Sequence, residues 1–407
     1  MTCLWTLIFR QVINTSWFNL QIQVSFLSYL NDMSVFMHAV SVAVPATVYP
    51  QSVIRDMIRA QPELDRLGQR VTSTVFNASG IDQRYSVIDE FGSQEGAALF
   101  YDSASGLMLT PTTGVRNEVY AVEATKLYVR AAQGLLDGSD FVAADVTHVI
   151  TVSCTGFFAP GPDYAVVRGL GLAPDVHRFH VGFMGCYAAF PALKMAKAFC
   201  EADPTATVLV ICAELCTLHM KSSNNIDTII ANSVFGDGAS AALVSARPPA
   251  MSRPALRMDH FETTLTPVGV GEAEMAWTIG DQGYNMVLST YVPSIIESHI
   301  GGALLPLMSR ESALEGAAHK SVEHWAIHPG GRSILDKVQT SLDLSDEQLA
   351  PSRAVLRQYG NMSSATVLFI LEGLLRSAGQ DERVCAMAFG PGLTVESGLL
   401  TKVCGGQ

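Results

Sequence analysis

Short, largely apolar runs rich in β-branched residues recur along the chain, each closed by Gly, Ser or Pro. They are Val146 to Val152, Thr207 to Cys212, Ala239 to Val244, Val322 to Ile327 and Arg383 to Ala388. Runs without polar alternation suit strands buried on both faces. Between them, helical spacing of apolar positions predicts helices over Glu118 to Leu136 and Ala365 to Ser377. Strand and helix in alternation argue for an α/β layered fold. A further strand-like alternation begins at His38 and ends before Pro45.

The pattern also repeats itself. Gly185-Cys186 leads into a small-residue helix start, then a strand, then Phe235-Gly236-Asp237-Gly238 and another strand. Gly360-Asn361 leads into Met362-Ser363-Ser364-Ala365, then a helix, a strand, Phe389-Gly390-Pro391-Gly392 and another strand. The same order twice predicts two similarly built halves around a shared centre. We place them at 38–246 and 255–407, joined across Ala246 to Ala250 and Pro254. Residues 1–37 differ in texture, being rich in Trp, Phe, Leu, Ile and Asn with almost no charge. They lack both an uninterrupted span and a secretory signal. The expectation there is an atypical extension, with Met33 or Met37 as the true start, or else a segment that touches a membrane surface.

Composition narrows the classes. The chain is 48% hydrophobic and 16% charged, as for a large buried core. Its net charge is −12 and it has no Lys/Arg cluster, which argues against a nucleic-acid partner. No integral membrane span is expected. The eight cysteines form no Cys-x-x-Cys pair, so reduced thiols in a cytoplasmic protein are expected, with no metal site.

Three positions carry chemistry. Cys186 precedes a helix, whose dipole and free N–H groups favour a thiolate. His328 ends a strand before Pro329-Gly330-Gly331, at the sheet edge where α/β proteins bind ligands. Asn361 follows Gly360 and opens another helix start. A Cys, a His and an Asn, each at an element end, form a nucleophile, base and amide set.

These blocks resemble the type III polyketide synthases, the chalcone synthase-like family of the thiolase superfamily, in its microbial rather than plant form. The resemblance rests on Gly185-Cys186, Trp325 to Gly331, Tyr359 to Ala365, Phe389 to Glu396 and Ser233 to Gly238. It runs from about His38 to the C-terminus. It implies a thiolase-like αβαβα fold with the catalytic centre at the junction of the halves, and a homodimer. Cys186 would hold a starter from an acyl-CoA as a thioester, paired with imidazolium His328. Malonyl-CoA would bind with its carbonyl near His328 and Asn361, which stabilise the enolate formed as CO2 leaves. Repeated extension and cyclisation would follow, with CoA thioesters as substrates and no cofactor.

The resemblance further implies that Phe235 is a gatekeeper and that Gly390, Pro391 and Gly392 shape the cyclisation end of the cavity. Cys154, Cys216 and His219 stand where plant chalcone synthases have hydroxyl residues, and Met286 stands where they have Phe. Ala159 replaces a Met that reaches the partner's cavity. Gly330 and Gly331 would face substrate, and Arg66, Arg70, Arg84 and Arg332 are candidates for the CoA phosphates. The softer pocket points to an aliphatic starter and a pyrone or resorcinol-type product. The alternatives are a malonyl-only hydroxynaphthalene synthase and a condensing enzyme like ketoacyl synthase III or hydroxymethylglutaryl-CoA synthase. A catalytically silent dimer partner and a cysteine hydrolase complete the set.

Overall fold

The computed structural model describes residues 34–91, 98–251, 253–314 and 316–405. Nearly all of the extension read from sequence therefore lies outside the described residues. Its last residues do not: the first strand begins at Phe36, and Val35 and Met37 are buried in the core.

Nine strands form one mixed sheet. In chain order they are β1 (Phe36–Ala43), β2 (His148–Ser153), β3 (His177–Gly182), β4 (Thr207–Leu215) and β5 (Asp237–Ser245), then β6 (Pro254–Thr264), β7 (His324–Ile327), β8 (Arg383–Gly390) and β9 (Thr394–Cys404). The spatial order is β7-β8-β9-β6-β1-β5-β4-β2-β3. Reading outward from the β6–β1 seam, β6, β9, β8 and β7 mirror β1, β5, β4 and β2, with the same parallel and antiparallel pairings. The repeat seen in the sequence is thus a repeat of topology. Strand β3 is the unmatched edge.

Helices cover the sheet in layers. Helix α1 (Thr113–Asp137) buries the stripe Tyr120, Ala124, Leu127, Tyr128, Ala131 and Leu135 against β1, β4 and β5. Helix α2 (Ala189–Ala202) packs on β4 and β5, and the short helix α3 (Ile226–Val234) leads into β5. On the far face, α4 (Val292–Met308) packs on β6 and β9, beside α5 (Arg332–Leu342), while α6 (Asp346–Tyr359) packs on β7. Helix α7 (Thr366–Ser377) touches β1, β5, β6 and β7 and is buried at every position from Thr366 to Leu371. A helix apolar all round belongs to a central layer. One core of buried residues contains α2 and α7 between the half-sheets, giving the expected αβαβα order.

The seam is narrow. The β1–β6 register runs through Phe36 with Arg257 and Met37 with Leu256, and the Val35 carbonyl accepts the Met258 N–H at 2.8 Å. A chain beginning at His38 loses this seam and two buried apolar side chains. Removing such side chains costs about 2–5 kcal/mol each. Such a chain should unfold at markedly lower denaturant than one beginning at Ser34; equal midpoints would show that the seam does not matter.

Candidate active site

The turn before α2 brings Cys186 to the C-terminal edge of the sheet, where the halves meet. It is strained: Phe183 has φ of 59° and Gly185 of 83°. A Cβ on Gly185 would also lie 2.4 Å from the Trp277 ring and 2.7 Å from Pro391, so only glycine fits. Cys186 is 8% exposed.

From the other half come His328 and Asn361. His328 directly follows β7, its N–H bonded to the Met387 carbonyl at 2.8 Å, and its ring is buried with neither nitrogen hydrogen-bonded. The Asn361 amide is oriented by its neighbours. Its Oδ1 accepts the Ser363 N–H at 2.8 Å, and its Nδ2 donates to the Gly330 carbonyl at 3.3 Å. The amide then lies 4.0 Å from the Cys186 Sγ. Cys186, His328 and Asn361 all line one inner cavity of about 470 Å³, together with Phe235 and Met286.

Burial governs the protonation states. It raises the Cys186 thiol to about 11, against the opposing hydrogen bond of Ser363, with Glu214 raising it further and Asn361 lowering it. It lowers His328 to about 3. Burial thus works against the thiolate–imidazolium pair expected from sequence. A helix dipole contributes about 1 kcal/mol, whereas full burial shifts a pKa by several units. Burial favours a neutral thiol and a neutral imidazole on the wall of the same cavity, with both ring nitrogens open, an arrangement that can pass a proton as the thiol attacks.

A second cavity of about 680 Å³ shares Cys186, Phe235, Trp277 and Met286 with the first. Cys154, Cys216 and His219 line it. His219 donates through Nε2 to the Thr155 carbonyl at 2.8 Å and stacks on Tyr284 at 3.9 Å. The described cysteines are free thiols. Gly330 and Gly331 line an outer cleft of about 1070 Å³ with Arg332 and Lys337, and Gly330, Ile334 and Leu288 also line the inner cavity.

Other expected residues lie elsewhere. Gly390, Pro391 and Gly392 line neither of the two cavities at Cys186; Gly390 packs against the Tyr187 ring and Pro391 against Gly185, propping the nucleophile turn. Arg66 and Arg70 are exposed on the helix Arg66–Ala78, which offers the cleft only Val75, Ala78 and the following Ser79. Arg84 is fully buried and cannot meet a phosphate in the cleft. Ala159 is exposed on this chain.

Two residues of the site escaped the sequence reading. Glu214, buried near the end of β4, accepts from Ser153 Oγ at 3.1 Å, Cys154 N at 3.0 Å, Thr155 Oγ1 at 2.8 Å and Ser364 Oγ. Burial raises its pKa. The available signal was a carboxylate inside an apolar strand. Trp277 lies on the hairpin Met275–Gly280 and Gly283–Leu288, in register with Met286, so both side chains face the cavities. Its Nε1 is buried without a partner, and nothing in the local pattern marked it.

With the geometry in hand, comparison with known proteins is decisive. The N-terminal domain of chalcone and stilbene synthases matches residues 30–248, and their C-terminal domain matches 262–404. The chain belongs to the chalcone and stilbene synthase family. Among curated proteins, probable polyketide synthase 1 of Dictyostelium discoideum is 28% identical over 379 residues, which is 93% of this chain. The chain spans 12% of that relative's length. Among solved structures, PKS-I of the brown alga Ectocarpus siliculosus is 27% identical with a TM-score of 0.82, covering 91% of this chain and 98% of its own. The C-terminal type III polyketide synthase domain of Steely1, a type I/III hybrid from Dictyostelium, is 26% identical with a TM-score of 0.81, covering 91% and 99%. This is therefore a type III polyketide synthase relative, of an acyltransferase family and of microbial rather than plant kinship. Among the described residues, no helix is long and apolar enough to cross a membrane.

The protonation states can be checked through alkylation of Cys186 by iodoacetamide. With the thiol near 11, the rate should still be climbing at pH 9. A plateau reached by pH 7 would mean that a thiolate is already formed.

Proposed function

We propose that this protein condenses malonyl-CoA repeatedly onto an acyl starter held on Cys186 and closes the product to a pyrone or resorcinol. What supports this is the meeting of Cys186, His328 and Asn361, from two halves of the chain, on the wall of one inner cavity. Acyl-CoA enters by the outer cleft. As the Cys186 Sγ attacks the acyl carbonyl, its proton passes to His328 and then to the departing CoA sulfur, leaving an acyl-enzyme and CoA-SH. Malonyl-CoA follows, with its thioester oxygen between His328 and the Asn361 Nδ2. Loss of CO2 leaves an enolate on that oxygen, and donors aimed there are worth about 3 kcal/mol each. The enolate carbon attacks the Cys186 thioester, and the sulfur leaves and is reprotonated. The lengthened chain, now on CoA, returns to Cys186.

Energy for the cycle comes from thioester cleavage and CO2 release, so the proposed reaction calls for no metal or redox cofactor. The Phe235 ring, shared by both cavities, keeps water from the enolate. Cys154, Cys216, Met220 and Met286 surround the growing chain. Such a wall offers few fixed donors, which favours an aliphatic starter over a phenylpropanoid one. The protein acts as a homodimer in this proposal. The edge strand β3 is exposed from His177 to His180 and runs directly into the Cys186 turn, leaving its unpaired backbone free for a second copy.

The purified protein should be given malonyl-CoA with acyl-CoA starters of graded length, and products read by mass spectrometry. Extended lactones or resorcinols with CO2 release are expected, best with aliphatic starters and abolished by Cys186→Ala. A product from malonyl-CoA alone, unaffected by any starter, would favour the hydroxynaphthalene synthase. No CO2 and no extension with any thioester would overturn the proposal.

A further inference from the structure

Arg84 is an unusual residue to bury. It lies on a short strand, Gln83–Ser86, with its side chain fully enclosed and its guanidinium 5.6 Å over the Phe76 ring. It lines neither of the two cavities at Cys186. Its Nη1 donates to the carbonyls of Asn232 at 2.7 Å and Phe235 at 2.5 Å, while Nε and Nη2 have no partner. Burying a guanidinium costs several kcal/mol unless it is well compensated, so its location asks for a reason.

The carbonyls it holds belong to the segment that carries Phe235. That segment is bridged to Asn361: the Asn361 N–H donates to the Val234 carbonyl at 2.8 Å, and the Gly236 N–H donates to the Asn361 carbonyl at 3.0 Å. Arg84 also packs behind the bridge. A Cβ on Gly360 would lie 3.0 Å from its Cδ, and one on Gly236 would lie 3.6 Å from its Cβ. Asp237, which accepts from Thr217 and Val87, supplies nearby negative charge. Burial lowers Arg84 to about 9, so it remains charged at neutral pH.

We propose that Arg84 is a positioning residue for the malonyl half of the reaction: by holding the Phe235 carbonyl it fixes the Phe235–Asn361 bridge, and so the amide that receives the enolate. This rests on the function proposed above and adds a division within it. The nucleophile turn is propped by Trp277 and Pro391 instead. Starter loading and malonyl decarboxylation should therefore respond differently to its loss.

The test compares wild type with Arg84→Met and Arg84→Lys. Starter loading is followed as the rate of acyl-enzyme formation by intact mass, and malonyl-CoA decarboxylation as CO2 release over a range of substrate concentrations. With Arg84→Met, decarboxylation kcat should fall about thirtyfold with little change in KM, while loading stays within about twofold, since small misplacements of a catalytic group cost rate rather than binding. Arg84→Lys keeps the charge and one donor and should recover part of the loss; it decides the matter if Arg84→Met does not fold. Equal falls in loading and decarboxylation, or no fall in either, would overturn the inference. A wild type that decarboxylates no malonyl-CoA would instead remove the function proposed above.

Discussion

The buried carboxylate of Glu214 holds the two halves of the site in one frame. It belongs to β4 of the first half, yet it takes a hydrogen bond from Ser364 of the second, and its other donors are Ser153, Cys154 and Thr155 beside the cavity. All are neutral groups, so the carboxylate is buried at a cost that hydrogen bonds alone offset. The preceding residue, Ser363, has φ of 45° and gives its N–H to Asn361. One carboxylate thus reaches through two serines to the amide that faces Cys186. Removing a single donor leaves charge without a partner, which is why such networks are satisfied throughout or fail together.

Around that frame, the symmetric sheet explains why the site exists at all. Each half ends a strand and opens a helix at the same edge, so folding the halves together points Cys186, His328 and Asn361 into one space. The same enclosure sets their chemistry. Burial makes the thiol a poorer acid and the imidazole a poorer base, and so favours their neutral forms. A thiol kept neutral is also less open to stray alkylation and oxidation.

Much of this was legible in the sequence because it is local or repetitive. The apolar runs gave strands to within a few residues, and the repeated Gly-led helix starts foretold the mirrored topology. The first strand was read two residues late, since Phe36 and Met37 continue the texture of the extension before them. What stayed hidden depends on contacts between distant segments. Arg84 reads as a surface cation until Asn232, Phe235, Gly236 and Gly360 close around it. Trp277 gains its place from pairing with Met286 across a hairpin, and the Gly390-Pro391-Gly392 loop from Gly185 and Tyr187. The burial that works against a thiolate at Cys186 was hidden for a related reason: a helix start shows in sequence, whereas complete burial does not.

The central claim is a division of labour, with Cys186 carrying the chain and Asn361 serving the enolate. Intact-protein mass spectrometry of Asn361→Ala, given acyl-CoA and then malonyl-CoA, addresses it most directly. The account predicts that the starter adduct accumulates on Cys186 and remains there unextended, with CO2 release close to background. Extension and CO2 release at the wild-type rate would contradict it.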